Sequence, residues 1–179
     1  MISTVLAMHP WLGSYGLVVV LAVGPFAGWW LASRPRVAGA LLLASLAAVA
    51  VLTLSPGPSH ALTRCWVDLS GWSPGALLNS PTVQANVILF VAPVLLAGVL
   101  TRRPLAALVA GSALSAGIEL VQMMVPALGR SCDTSDWQAN TLGAVVGAAA
   151  AALALLLDGS RPQRGAGRTE HRGVNHLAL

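Results

Sequence analysis

Residues 117–147, GIELVQMMVPALGRSCDTSDWQANTLGAVVG, decide the fold because they place polar side chains between two long apolar segments. Glu119 lies inside the first segment, and the second continues after Asn140. Polar groups at membrane depth cost free energy, so they usually mark a functional site. The stretch predicts two membrane helices joined by a turn, with a polar site where they meet.

The composition indicates an all-α, polytopic membrane helical bundle. The chain is 56% hydrophobic and only 9% charged, whereas a soluble domain carries about 25% charged residues. Regular alternation over ten-residue segments, which is typical of a transmembrane β-barrel, is lacking in the sequence. The 179 residues therefore cannot cover a water-soluble globule with charged side chains.

Five apolar runs are predicted to cross the membrane, since each is close to the roughly 20 residues that span about 30 Å of hydrocarbon. Ser80 is a predicted N-cap and Pro81 the first residue of the third helix. The N-terminus has no basic segment, so it is not expected to be a cleavable signal peptide. The predicted spans are residues 15–32, 37–54, 81–101, 104–125 and 136–157.

The distribution of arginine predicts the orientation. Eight of the ten basic residues fall on one side of a five-span bundle, and all ten are arginine. By the positive-inside rule that side is the cytoplasm of a plasma-membrane protein, so the N-terminus is outside and the C-terminus inside. The Arg-rich tail, residues 158–179, is expected to be disordered. Topology, rather than nucleic-acid binding, explains these arginines.

A connector of about 25 residues separates the second and third spans, and loops of this length are often functional. Residues 61–69 would alternatively form a short interfacial helix. Cys65 and Cys132 both fall in segments predicted to lie outside the cell, where thiols are oxidised. The sequence is consistent with a disulfide between them or with two free thiols.

Helical spacing places polar side chains of three helices at one depth, in the outer leaflet. Residues three or four apart share a helix face. Glu119 would lie about 10 Å below the outer end of its helix. The predicted site comprises Asn86, Glu119, Gln122, Arg130, Asp133, Asp136 and Asn140, with Ser112 and Ser115 on the same face as Glu119.

Most of these residues also fit a structural role. Asp133 would cap a helix and Asp136 would complement its dipole. Gln122 would be a satisfied core amide, and Arg130 an interface anchor. Interhelical hydrogen bonding or close packing would account for the remaining group, Asn86, Asn140, Gly143 and Gly147.

Glu119 fits a structural role least well. An acid at the centre of a membrane helix costs about 2.5–3.5 kcal/mol on insertion scales, so it must be paired or protonated. Arg130 is its expected partner. Metal ligation by Glu119, Asp133 and Asp136 has little support, because His60 is the only nearby histidine. We therefore predict neither a metal nor a cofactor.

These motifs resemble the VanZ-like membrane protein family over roughly residues 41–157. The resemblance implies a four-helix core at residues 37–157, to which residues 1–36 add an N-terminal helix. One departure is the absence of a glycine shortly after Pro93. The motifs are Asn86-x-x-Leu89-Phe90-x-x-Pro93, Glu119-x-x-Gln122, Arg130, and Asp133-x-x-Asp136-x-x-x-Asn140-Thr141-Leu142-Gly143-Ala144-x-x-Gly147.

Three functional hypotheses follow. The resemblance implies an association with reduced susceptibility to teicoplanin, a lipid-tailed glycopeptide antibiotic that acts outside the cell. The residues favour an outer-leaflet pocket that binds the head group of an envelope lipid or glycan, with Arg130 on phosphate or carboxylate. If the pocket also modifies its ligand, Glu119 or Asp136 would be the acid/base. The alternatives are a proton-coupled transporter or lipid scramblase, and a structural scaffold without catalysis.

Overall fold

The computed structural model describes residues 11–56, 65–68, 75 and 79–160. Five helices in these ranges are long and apolar enough to cross a membrane, so the predicted helical membrane bundle is confirmed. The helices are α1 (Trp11–Ala32), α2 (Pro35–Leu54), α3 (Pro81–Thr101), α4 (Pro104–Met124) and α5 (Thr134–Gly159).

Proline and local capping set most of the helix ends. Proline occupies the first turn of α2, α3 and α4, where the missing N–H leaves no partner unsatisfied. The Ser80 side chain accepts a hydrogen bond from the N–H of Val83, as an N-cap should. Arg102 ends α3 in the left-handed conformation, with φ 54°. The largest difference from the predicted bounds is at α1, which begins four residues earlier than the hydropathy pattern indicates.

α3 is the centre of the bundle. In its most apolar 18-residue window 61% of the residues are buried, whereas the share is 17% in α1 and in α2, which leave broad apolar faces exposed. Phe90 on α3 is fully buried against Val49 of α2 and Ile118 of α4. Leu95 of α3 packs on Ala154 of α5.

Two glycines set the close approach of α3 and α5. A Cβ at Gly143 would overlap the carbonyl oxygen of Val87, and one at Gly147 would lie 2.6 Å from that of Val91. Small residues let membrane helices pack backbone to backbone. The packing role predicted for this pair is therefore present in the structure.

The helices alternate in direction and define two ends of the bundle. At the connector end α2 stops at Leu54, α3 starts at Pro81, α4 stops at Met124 and α5 starts at Thr134. The arginine end carries the α1–α2 and α3–α4 turns and the end of α5. There Arg102 forms an ion pair of 2.7 Å with Asp158.

Several sequence predictions concern residues outside the described ranges. They include the N-terminal residues 1–10, most of the connector with His60, and the tail beyond Ser160. Only four residues of the alternative helix at 61–69 are described, and they are not helical: Trp66 forms a parallel β-bridge with Asp133. The hypothesis of an interfacial helix is wrong for residues 65–68.

Candidate functional site at the connector end

Glu119 is bonded to the start of the next helix. Its side chain is 7% exposed, and its Oε2 accepts a 2.8 Å hydrogen bond from the backbone N–H of Asp133. The first N–H groups of a helix have no intrahelical acceptor. The carboxyl group of α4 therefore satisfies a donor at the entry to α5.

The predicted polar face of α4 is present, but its members point to different neighbours. Ser112 shares a 3.0 Å hydrogen bond with Thr141 of α5. Ser115 accepts from the Asn140 amide at 2.9 Å. Gln122 donates instead to the main-chain carbonyl of Thr53, on α2. Most of this polar face thus lies in the interface between α4 and α5, which we call the seam, while Gln122 connects α4 to α2.

The two aspartates at the start of α5 have separate tasks. The Asp133 side chain accepts from the N–H of Ser135 at 2.8 Å, so it is the helix N-cap. Asp136 accepts a 2.6 Å hydrogen bond from the Asn86 amide of α3. Asn86 and Asp136 therefore join the two most closely packed helices at the connector end.

The predicted ion pair between Arg130 and Glu119 does not form. Arg130 Nε donates to the carbonyl of Ser55 at 2.9 Å, and a terminal nitrogen donates to that of Leu52 at 3.1 Å. Leu52 lies in the last turn of α2 and Ser55 is its C-cap, where main-chain carbonyls lack intrahelical donors. The guanidinium is held at the end of α2, away from Glu119, while its charge still acts on Asp136.

A disulfide and a β-bridge fix part of the connector over the site. Cys65 and Cys132 are bonded, with their Cα atoms 4.5 Å apart. The N–H of Trp66 donates to the Cys132 carbonyl, and the N–H of Thr134 donates to the Trp66 carbonyl. Residues 65–68 therefore lie against the strand-like segment whose Asp133 N–H binds Glu119.

Sequence reasoning missed two buried glutamines at this end. Gln84 of α3 donates to Ser14 of α1 at 3.1 Å, and Gln138 of α5 donates to the Asp68 carbonyl at 3.2 Å. They are 1% and 2% exposed, respectively. A polar side chain inside an apolar span was the signal that singled out Glu119, and it applies equally to these glutamines.

The site has a buried floor and a half-buried rim. The floor is occupied by Ser115, Glu119, Gln122 and Asn140. The rim is formed by Asn86, Arg130, Asp133 and Asp136, each of intermediate exposure. The one acid and the two amides of the floor are therefore more deeply buried than the side chains of the rim. No group of three or more metal-ligating side chains is arranged to hold a metal ion in the described ranges.

The chain matches a known protein family. The family model VanZ/LLP1 matches residues 41–156. The chain belongs to the VanZ/LLP1 family. The match contains every site residue described above except Ser14, which lies on α1. No curated protein and no solved structure matches the chain significantly.

Proposed function

We propose that this VanZ/LLP1 protein binds the polar head group of a cell-envelope lipid or glycan at the connector end, which faces the outside of a plasma membrane. The proposed orientation follows the arginines that flank the spans at the opposite end. It puts the site just below the outer surface, at the depth of lipid head groups. The proposed binding domain is residues 37–157, with α1 packed beside it.

The observation that carries the proposal is the pairing of a buried floor with a half-buried, hydrogen-bonding rim. Glu119 Oε1 and Asp136 Oδ2 accept no hydrogen bond from any described residue, although the other oxygen of each group does. Ionised carboxylates have acceptor capacity beyond one hydrogen bond. Two acids with unused oxygens, close to hydrocarbon, favour a polar ligand over a purely structural core.

Binding would use the rim first. Asn86 and Asp136 lie half-buried between α3 and α5, where a head group entering from the outer leaflet would meet them. Glu119 would contact the deeper part of the ligand. If the bound molecule is also modified, Glu119 or Asp136 is the candidate acid/base, because each is an ionisable group on the approach path.

The experiment is native mass spectrometry of the purified protein with an envelope lipid extract. We expect retained lipid in the wild type and a loss of at least tenfold in affinity for Glu119→Gln. Asp158→Asn is the matched control, since it removes a carboxylate at the arginine end. Equal retention by all three proteins would overturn the proposal.

The proposed link to glycopeptides is a cellular consequence of the same binding. A protein that binds an envelope head group outside the cell would change which head groups are accessible to teicoplanin there. Expression in a susceptible host should raise the inhibitory concentration of teicoplanin, and Glu119→Gln should abolish the rise at equal protein level. An unchanged rise in the variant would separate the phenotype from the site.

A structural scaffold is the second candidate, and a specific observation favours it. Interhelical hydrogen bonds of Ser112, Ser115 and Gln122 satisfy much of the polar face inside the protein. A scaffold would lose stability in Glu119→Gln and show no head-group preference. The described helices carry no acidic or basic side chain between Glu119 and the arginine end, so nothing in them favours the proton-coupled transporter or scramblase.

A further inference from the structure

The charge of the connector-end site is predominantly negative. Three acids, Glu119, Asp133 and Asp136, meet there, and the charges of both aspartates act on Glu119. Arg130 is the one basic side chain among the described residues of this end. Such an arrangement repels an anionic group and attracts a cationic one.

Arg130 is poorly placed to reverse that preference. Its guanidinium has five N–H donors, and it directs Nε and one terminal nitrogen at the carbonyls of Ser55 and Leu52. Three donors remain, but using them on a phosphate beside the acids would require moving the side chain, which would leave the end of α2 without these partners. The carbonyls at the end of α2 therefore compete with a phosphate or carboxylate, the ligand groups expected from the sequence, for the Arg130 guanidinium.

One buried acceptor in the seam between α4 and α5, below the acids, has no donor among the described residues. Asn140 is 3% exposed, and its Oδ1 is buried with no hydrogen-bond partner in the described part of the chain. The amide lies one helical turn below Asp136 on α5 and is bonded to Ser115, one turn from Glu119 on α4. An unsatisfied buried acceptor costs free energy that a donor from outside the chain would recover. This oxygen points to a donor-bearing ligand independently of the acids.

We propose that the head group recognised by this site carries a primary ammonium group; the inference rests on the function proposed above. An ammonium group has three N–H donors and no acceptor. The site offers three acceptor atoms that receive no hydrogen bond from the described residues, Glu119 Oε1, Asp136 Oδ2 and the fully buried Asn140 Oδ1. A quaternary amine carries the positive charge but has no N–H donors. An anionic head group without an amine has neither the positive charge nor the N–H donors.

Three phospholipids with the same two oleoyl chains separate these properties. Phosphatidylethanolamine has the primary ammonium, phosphatidylcholine the quaternary one and phosphatidylglycerol neither. We expect the wild-type protein in detergent to bind phosphatidylethanolamine at least tenfold more tightly than the other two. Glu119→Gln and Asp136→Asn should each reduce the preference to threefold or less, while Asp158→Asn should keep it.

Two soluble sugars identify the source of the ammonium group. Glucosamine has a free amine, and N-acetylglucosamine has the same ring with the amine blocked. Displacement of phosphatidylethanolamine by glucosamine alone would assign an amino-sugar head group. Displacement by neither sugar, with the phospholipid preference intact, would assign an aminophospholipid; both results support the ammonium.

The same measurements distinguish failure of the ammonium proposal from failure of the head-group site. A preference for phosphatidylglycerol that Glu119→Gln abolishes would overturn the ammonium and keep the head-group site. So would equal binding of phosphatidylethanolamine and phosphatidylcholine that the same variant weakens. Binding of all three lipids with equal affinity to the wild type and the variants would overturn both proposals. Melting temperatures of the variants must match the wild type within a few degrees. A variant that fails this is replaced by Asn140→Ala, which removes the third acceptor and should reduce the preference to threefold or less.

Discussion

Glu119 and Asp133, fourteen residues apart in the chain, are joined by a 2.8 Å hydrogen bond from the Asp133 backbone N–H to the Glu119 carboxylate. The bond links α4 directly to the start of α5 and so closes the turn between the two helices. It explains how an acid is tolerated inside an apolar helix: one oxygen completes the backbone hydrogen bonding of its neighbour. The other oxygen is left for the proposed ligand.

Replacing Glu119 should separate these two tasks. Glu119→Gln keeps an oxygen that accepts from Asp133, so we expect little loss of stability. Glu119→Ala leaves a partly buried N–H unsatisfied, and its free energy of unfolding should fall by about 1–3 kcal/mol. Denaturant titration in detergent measures both. Equal destabilisation by the two variants would show that the backbone contact contributes nothing.

The glycine contact between α3 and α5 should be intolerant of a methyl group. Gly143→Ala drives a Cβ into the Val87 carbonyl, and overpacking of this kind costs about 1–3 kcal/mol. Gly39→Ala is the matched control, because nothing lies within 4 Å of its Cβ position. The control should be neutral or slightly stabilising, since alanine is the better helix former. Indistinguishable melting curves for the two variants would contradict the packing described here.

Reduction of the disulfide should loosen the connector. The bond closes a loop with a sequence separation of 67 residues, for which chain entropy gives up to about 4 kcal/mol. We expect a reductant to lower the melting temperature of the wild type and to leave that of a Cys65→Ser, Cys132→Ser double variant unchanged. A reductant effect of equal size in both proteins would mean that it acts elsewhere.

The proposed orientation predicts the accessibility of the two ends. A fluorescent protein fused after Leu179 should be fluorescent, as expected in the cytoplasm. After reduction, Cys65 in intact cells should react with a maleimide that cannot cross membranes. Labelling that requires permeabilised cells would place the connector end inside and remove the outer-leaflet site.

The helices were largely predictable from the sequence because their signals are local. Four of the five helix starts and all five helix ends fall within two residues of the predicted apolar boundary, and Ser80 caps α3 as its hydroxyl and the following Pro81 predict. The shared face of Ser112, Ser115 and Glu119 follows from the helical repeat alone. Such features depend on residues close together in the chain.

The partners of the polar side chains were less predictable because they depend on tertiary geometry. Charge alone favoured Arg130 beside Glu119, yet the open carbonyls at the end of α2 hold the guanidinium. A backbone N–H, which no side-chain pattern reveals, satisfies Glu119 instead. Gln84 and Gln138 carry no charge and so stood out less, although both are almost completely buried.

The most direct test of a head-group site at the connector end is photo-crosslinking with phosphatidylethanolamine that carries a diazirine on its head group. In membranes containing the protein, we predict that the crosslinked peptides come from residues 119–140 and that Glu119→Gln reduces the yield at least tenfold. Crosslinks confined to the arginine end, around Arg102 and Asp158, or a yield unaffected by Glu119→Gln, would contradict the account.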